Sequence, residues 1–175
     1  MFLSAQSDFS ELEEYPRLLQ SWHWYSELCE KLGRLPSRQD INPADIKFAL
    51  GYEMLVENDR ENKNPRVRLV GIVAEEFMDL SVSGTGKTYD AFLDDPSRIN
   101  VCDEVTRALD QGQPLFGIMT CTRKDGRSFH YARIICPLQK LENEPEMVFI
   151  TFQSFTENEG PQSGTQKEEA VKRWL

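Results

Sequence analysis

Positive charge is scarce in this chain: 20 lysines and arginines stand against 29 aspartates and glutamates in 175 residues, for a net charge of −9. Sequence-independent binding to nucleic acid needs a clustered basic face that neutralises phosphates, so the composition argues for no nucleic-acid partner. The only dense basic group, Arg123, Lys124 and Arg127, straddles a turn and reads as solvated. Paired cysteine spacing is lacking too. Cys29, Cys102, Cys121 and Cys136 lie far apart with no CxxC, which reads as buried thiols in a reducing cytoplasm. No apolar run approaches the roughly 18 residues of a membrane span. Met1–Ser10 has neither the basic stretch nor the apolar core of a secretory signal. The expectation is a soluble, cytoplasmic protein without membrane insertion.

Catalytic signatures are equally thin. Gly84-Thr85-Gly86-Lys87-Thr88 resembles the end of a phosphate-binding loop, but the motif needs glycine where Ser81 stands, and it should follow a buried strand. Glu75-Glu76-Phe77-Met78-Asp79 precedes it instead, so a glycine-rich loop between two short helices is the simpler reading. His23 and His130 are the only histidines. His23 sits beside tryptophans on a helix and is not read as a metal ligand. His130 lies on a strand whose alternation groups it with Ala132, Ile134 and Cys136, as a neutral core histidine. Cys121 and His130 fall near each other across a hairpin, which keeps a small Cys/His enzyme as an alternative, though nothing supplies a third member or an oxyanion site. The acidic pairs Asp94/Asp95, Glu75/Glu76 and Glu168/Glu169 suit helix N-termini or solvated faces. No catalytic residue is assigned, and the chain is not read as an enzyme.

What the chain does have is a strong hairpin. Asp125-Gly126 separates two runs rich in β-branched, aromatic and sulfur side chains, Leu115–Thr122 and Ser128–Leu138. Glycine accepts the positive φ that tight hairpin turns require. A third run, Met147–Phe155, completes a three-stranded antiparallel meander. Upstream, Pro16–Leu32 is an amphipathic helix: Leu18/Leu19, Trp22, Tyr25, Cys29 and Leu32 recur at helical spacing and Gly33 stops it. Its aromatic stripe is wider than one packing face needs. Leu35–Arg38 reads as an extended connector and Asn42–Ile46 as a short capped helix. Tyr52–Glu57 and Arg66–Gly71 read as paired strands, Ile72–Met78 as a short helix. Asp94-Asp95-Pro96 opens the best-capped helix, which ends near Gln111-Gly112. Residues 1–15 read as a flexible N-terminus, 16–34 as the amphipathic helix, 35–155 as the folded domain and 156–175 as a flexible acidic tail. Within that tail Lys167–Leu175 could form a short helix, with Val171 and Trp174 on one side.

The order strand–strand, short helices, one longer helix, three strands resembles a PAS domain. Arg123-Lys124-Asp125-Gly126 is similar to the turn between the late strands of that family. Tyr25, Leu35-Pro36-Ser37-Arg38, Asp40–Ile46, Arg66–Gly71 and Cys136-Pro137-Leu138, in that order, look like a bacterial subfamily of stand-alone PAS proteins, over roughly residues 18–155. The resemblance implies an α+β fold: a five-stranded antiparallel sheet with helices on one face around a small cavity, plus the N-terminal amphipathic helix. It implies sensing or protein–protein contact, often as a dimer through a flanking helix. The flavin-binding cysteine run of photosensory members is absent, and the long helix carries no histidine to serve as a haem ligand, so the cofactor is unknown.

The resulting expectation is a non-enzymatic regulatory protein that works by contact, as a homodimer or with a regulatory protein partner, and that binds a small ligand if its cavity is open. A dedicated metabolite sensor is a further alternative. Val70, Phe77, Phe92, Ile118, His130, Ile134 and Phe149 are expected to line the cavity. Trp22 and Tyr25 are expected to anchor the interface, because aromatic side chains dominate interface energetics.

Overall fold

A computed structural model describes residues 2–4, 9–78, 80 and 83–154. The strands are β1 (Phe2–Ser4), β2 (Glu53–Glu57), β3 (Arg66–Val70), β4 (Leu115–Thr122), β5 (Ser128–Pro137) and β6 (Met147–Ser154); the helices are α1 (Pro16–Leu32), α2 (Ile72–Phe77) and α3 (Asp95–Gln111). They form one antiparallel sheet in the order β1-β4-β5-β6-β2-β3. The expected strands and long helices stand within a residue or two of their sequence boundaries. Val171 and Trp174, with the expected terminal helix, lie outside the described residues.

Local chemistry explains the sharpest boundaries. Asp94 caps α3 by accepting the Ser97 amide at 2.9 Å, proline occupies the first turn, and Gly112 closes the helix at φ 60°. Pro16 opens α1 and Gly33 ends it at φ 65°. At the hairpin tip Gly126 takes φ 86° and donates to the Arg123 carbonyl at 2.9 Å, while Arg123 donates to Arg127 at 2.9 Å. A second glycine is needed for space: a Cβ at Gly71 would lie 2.3 Å from the Gly51 carbonyl, so β3 turns into α2 directly against that loop.

Three local expectations change. Asn42–Ile46 forms turns rather than a helix, and the connector before it closes as a short 3-10 turn at Arg38–Asp40. That turn is fixed by Asp40, which accepts from the Ser37 amide at 2.8 Å and the Ser37 hydroxyl at 2.6 Å. Where a flexible N-terminus is expected, the described residues include a strand at Phe2–Ser4 and a 3-10 turn at Phe9–Glu14. Phe2–Ser4 pairs with β4 and covers an open edge, and Leu12 is buried.

The sheet carries a hydrophobic cluster on each face, because successive strand residues point oppositely. On one face Met54, Val70, Tyr131 and Ile150 pack with Ala74 and Met78 of the α2 region and with Val101, Val105 and Ala108 of α3. On the other, Leu55, Ile134 and Phe149 pack with Leu18 and Tyr25 of α1. The PAS-like expectation of helices on one face holds for α2 and α3, and α1 covers the opposite side.

Candidate functional site

Beneath α2 and α3 the interior is aromatic. Tyr131 stacks on Phe129 with centroids 5.5 Å apart and meets Phe77 and Phe152 edge-on at 6.0 and 5.3 Å. The Tyr89 ring leans on Phe92 at 5.1 Å, and its hydroxyl donates to Met54 Sδ at 3.0 Å. A polar row crosses this apolar space. Cys121 Sγ lies 3.4 Å from the Tyr131 hydroxyl, Arg133 Nη1 donates to that hydroxyl at 3.4 Å, and Arg133 Nη2 is paired with Glu104 of α3. Arg133 is 2% exposed. Burial pulls its pKa down to about 10, so it stays charged at neutral pH, where it pairs with the Glu104 carboxylate. Burial pushes Tyr89 and Tyr131 upward, so both remain phenols and offer hydroxyl donors in a low dielectric. A cleft of about 320 Å³ lies beside the row, lined by Asn100, Asp103, Glu104 and Arg107 of α3 and Met119 of β4.

The residues expected to line one cavity are divided by the sheet. Val70, Phe77 and Phe92 belong to the α2/α3 side. Ile134 and Phe149 lie under α1, packed in the other cluster. Ile118 and His130 are exposed: Ile118 is the only exposed large hydrophobic among the described residues, and His130 Nδ1 lies 2.8 Å from Thr120 Oγ1. The alternation that groups His130 with Ile134 is correct, but α1 does not reach far enough along β5 to cover His130. Sequence periodicity gives the parity of a strand without saying which parity meets α2 and α3.

The same parity separates Cys121 from His130. Cys121 stands opposite Phe129 in the register and points into the interior, while His130 faces outward. Burial pushes the Cys121 thiol up to about 11, so it is protonated at neutral pH and is a poor nucleophile. The Cys/His pair is therefore not assembled. The glycine-rich loop at Gly84–Thr88 follows α2 and leads into a 3-10 turn, Tyr89–Ala91, with none of the strand-to-helix geometry of a phosphate loop. Among the described residues no group of histidine, cysteine and carboxylate side chains could hold a metal ion. No helix among them is long and apolar enough to cross a membrane.

Arg123 also departs from its expected role as part of a solvated turn. Its Nε donates to the Met78 carbonyl at 2.8 Å and its Nη2 to the Phe77 carbonyl at 3.1 Å, satisfying the orphan carbonyls at the end of α2. Its guanidinium also lies 5.0 Å over the Phe129 ring. The hairpin is thereby pinned to the helix over the aromatic interior. Its Asp-Gly signal was visible in the sequence, but the long-range contact was not.

On the opposite face α1 is held by residues four apart. Arg17 donates to the Phe152 carbonyl at 3.4 Å and lies 3.3 Å over the Tyr52 ring. Ser21 donates to Thr151 Oγ1 at 2.8 Å, and the Tyr25 hydroxyl donates to the Pro137 carbonyl at 2.5 Å. Tyr25 is 2% exposed, so its ring is used within the chain and presents no surface to a partner. Trp22 keeps partial exposure. Trp24, Leu28 and Phe48 line a groove of about 480 Å³ whose rim carries Gln20, His23, Glu27, Lys31 and Asp45; Trp22 is not among its lining residues.

The strand order, the helical cover and the aromatic interior agree with the family comparison, in which a PAS-domain family matches residues 16–151. This chain belongs to the PAS-domain family. Membership supports a sensory or regulatory role for this PAS domain. Among solved structures it is similar to a light-oxygen-voltage domain studied with a flavin analogue, at 14% identity over 74% of this chain and 90% of that one, TM-score 0.46. It is similar to the PAS domain of a protein from Colwellia psychrerythraea, at 15% identity over 62% and 92%, TM-score 0.45. The LOV protein of Rhodobacter sphaeroides matches at 13% identity over 89% and 73%, TM-score 0.45. No curated protein matches the chain.

Proposed function

We propose that this PAS domain is a non-enzymatic cytoplasmic regulator that acts by protein–protein contact, with α1 as its contact surface and a second copy of the chain as its first partner. The observation that carries the reading is the surplus on α1. After Leu18 and Tyr25 are buried, Trp22 remains half-buried, and Trp24 and Leu28 remain half-buried along a groove with a charged rim. An apolar centre with a polar rim is the usual anatomy of a contact surface, and tryptophan is the residue most enriched at its energetic centre. Tyr25 then acts as the tether that orients α1, and Trp22 as the anchor that meets the partner. The four free thiols suit a reducing compartment.

Light scattering coupled to size exclusion tests this on the full chain. A dimer that becomes monomeric in Trp22→Ala, with an unchanged circular dichroism spectrum, supports it. A wild-type monomer at high micromolar concentration, or a dimer indifferent to Trp22→Ala, overturns it.

A further inference from the structure

The groove on α1 and the last residues of the chain carry matching patterns. Trp24 and Leu28 of α1 and Phe48 of the neighbouring turns are its half-buried apolar lining, and Glu27, Lys31 and Asp45 stand exposed on its rim. Trp22 sits about 200° round the helix from Trp24, so one occupant need not cover both. Lys167–Leu175 carries Val171, Trp174 and Leu175 at i, i+3 and i+4, with Glu168 and Lys172 beside them. Set antiparallel to α1 as a helix, this segment falls into register. Leu175 comes opposite Trp24, Val171 opposite Leu28, Lys172 opposite Glu27 and Glu168 opposite Lys31. Each acid–base pair spans four residues, about 6 Å of rise, so both cross-pairs close at one setting. The parallel setting would bring like charges together.

The segment is also within reach. β6 ends at Ser154 near the start of α1, where Arg17 donates to the Phe152 carbonyl at 3.4 Å. Lys31 lies about 21 Å further along the helix from Arg17. Residues 155–166, about twelve positions, span up to ~40 Å.

We propose that Lys167–Leu175 docks into this groove of its own chain, antiparallel to α1, with Val171, Trp174 and Leu175 laid on Leu28, Phe48 and Trp24. An amphipathic helix in an apolar groove is a recurring mode of recognition, and its anchors recur at this spacing. The apolar contacts supply the strength, with Trp174 as the anchor. The ion pairs are exposed and add little strength, but they fix direction and register. The covalent tether gives the segment an effective concentration in the millimolar range, so a modest intrinsic affinity keeps the groove filled. Docking covers the Trp24 flank and leaves Trp22 to the second copy. It goes beyond the contact reading above and does not rest on a dimer.

Carbodiimide cross-linking of the full chain tests the docking, because it joins an amine to a carboxylate only where the two touch. Isotope-labelled and unlabelled protein are mixed, equilibrated, cross-linked and read by mass spectrometry. The expected result is a link from Lys172 to Glu27 or from Glu168 to Lys31, in cross-linked peptides of a single isotopic composition. The link should be lost in Trp174→Ala with an unchanged circular dichroism spectrum. Absence of both links, or a link that persists in Trp174→Ala, overturns the docking. Links of mixed isotopic composition put the segment on a second copy and overturn its assignment to its own chain. Light scattering on the same samples separates the two readings. A Trp22-dependent dimer without either link sinks the docking alone, whereas single-isotope links in a monomer sink the contact reading alone.

Discussion

On one face of the sheet the cover is α2 and α3, which join it through short connections and interlock with it through Phe77, Phe129, Tyr131 and a buried Arg133–Glu104 pair. On the other face the cover is α1, which precedes the core strands and is tied down by Arg17, Ser21 and Tyr25. The first cover cannot lift without exposing stacked rings and an ion pair already stripped of water. The second gives up hydrogen bonds that water can replace, together with the burial of side chains such as Leu18, each worth about 1.5–3 kcal/mol. The difference divides the labour: one face holds the molecule together, and the other carries a cover suited to making contacts.

Breaking the first face should have the larger effect. Glu104→Gln leaves a buried guanidinium without its counter-charge, and the expected loss in urea unfolding is about 3–5 kcal/mol. A loss below about 1 kcal/mol would mean that the pair is exposed to water and that this face is no tighter than the other. On the second face Tyr25→Phe removes one hydrogen bond and keeps the ring, so the expected loss is about 0.5–1.5 kcal/mol with an unchanged denaturant slope. A loss as large as that of Glu104→Gln would erase the contrast between the two faces.

How much of this was legible depends on whether the signal is local. The Asp125-Gly126 hairpin, the Asp94 cap and the glycine stops at Gly33 and Gly112 are written within a few residues, and all stand where the sequence puts them. The apolar stripe of α1 was equally readable. Its polar ties were not, because Arg17 and Ser21 are ordinarily solvent residues and only the partner strand reveals their use. Arg133 is harder still: between Ala132 and Ile134 it reads as an outward position, yet it lies on the α3 face with Glu104 to pair it. The lining residues failed for one reason. Ile118, His130, Ile134 and Phe149 share one parity, and the helices that contact Val70 took the other.

The central claim is that α1 is a separable cover on a sheet whose other face is fixed. Native-state amide hydrogen exchange of the full chain, read peptide by peptide, tests it most directly. The α1 amides are expected to exchange through an opening of lower free energy than those of α3 and β5, while the latter exchange together at the global limit. Protection of α1 equal to that of α3 would contradict it.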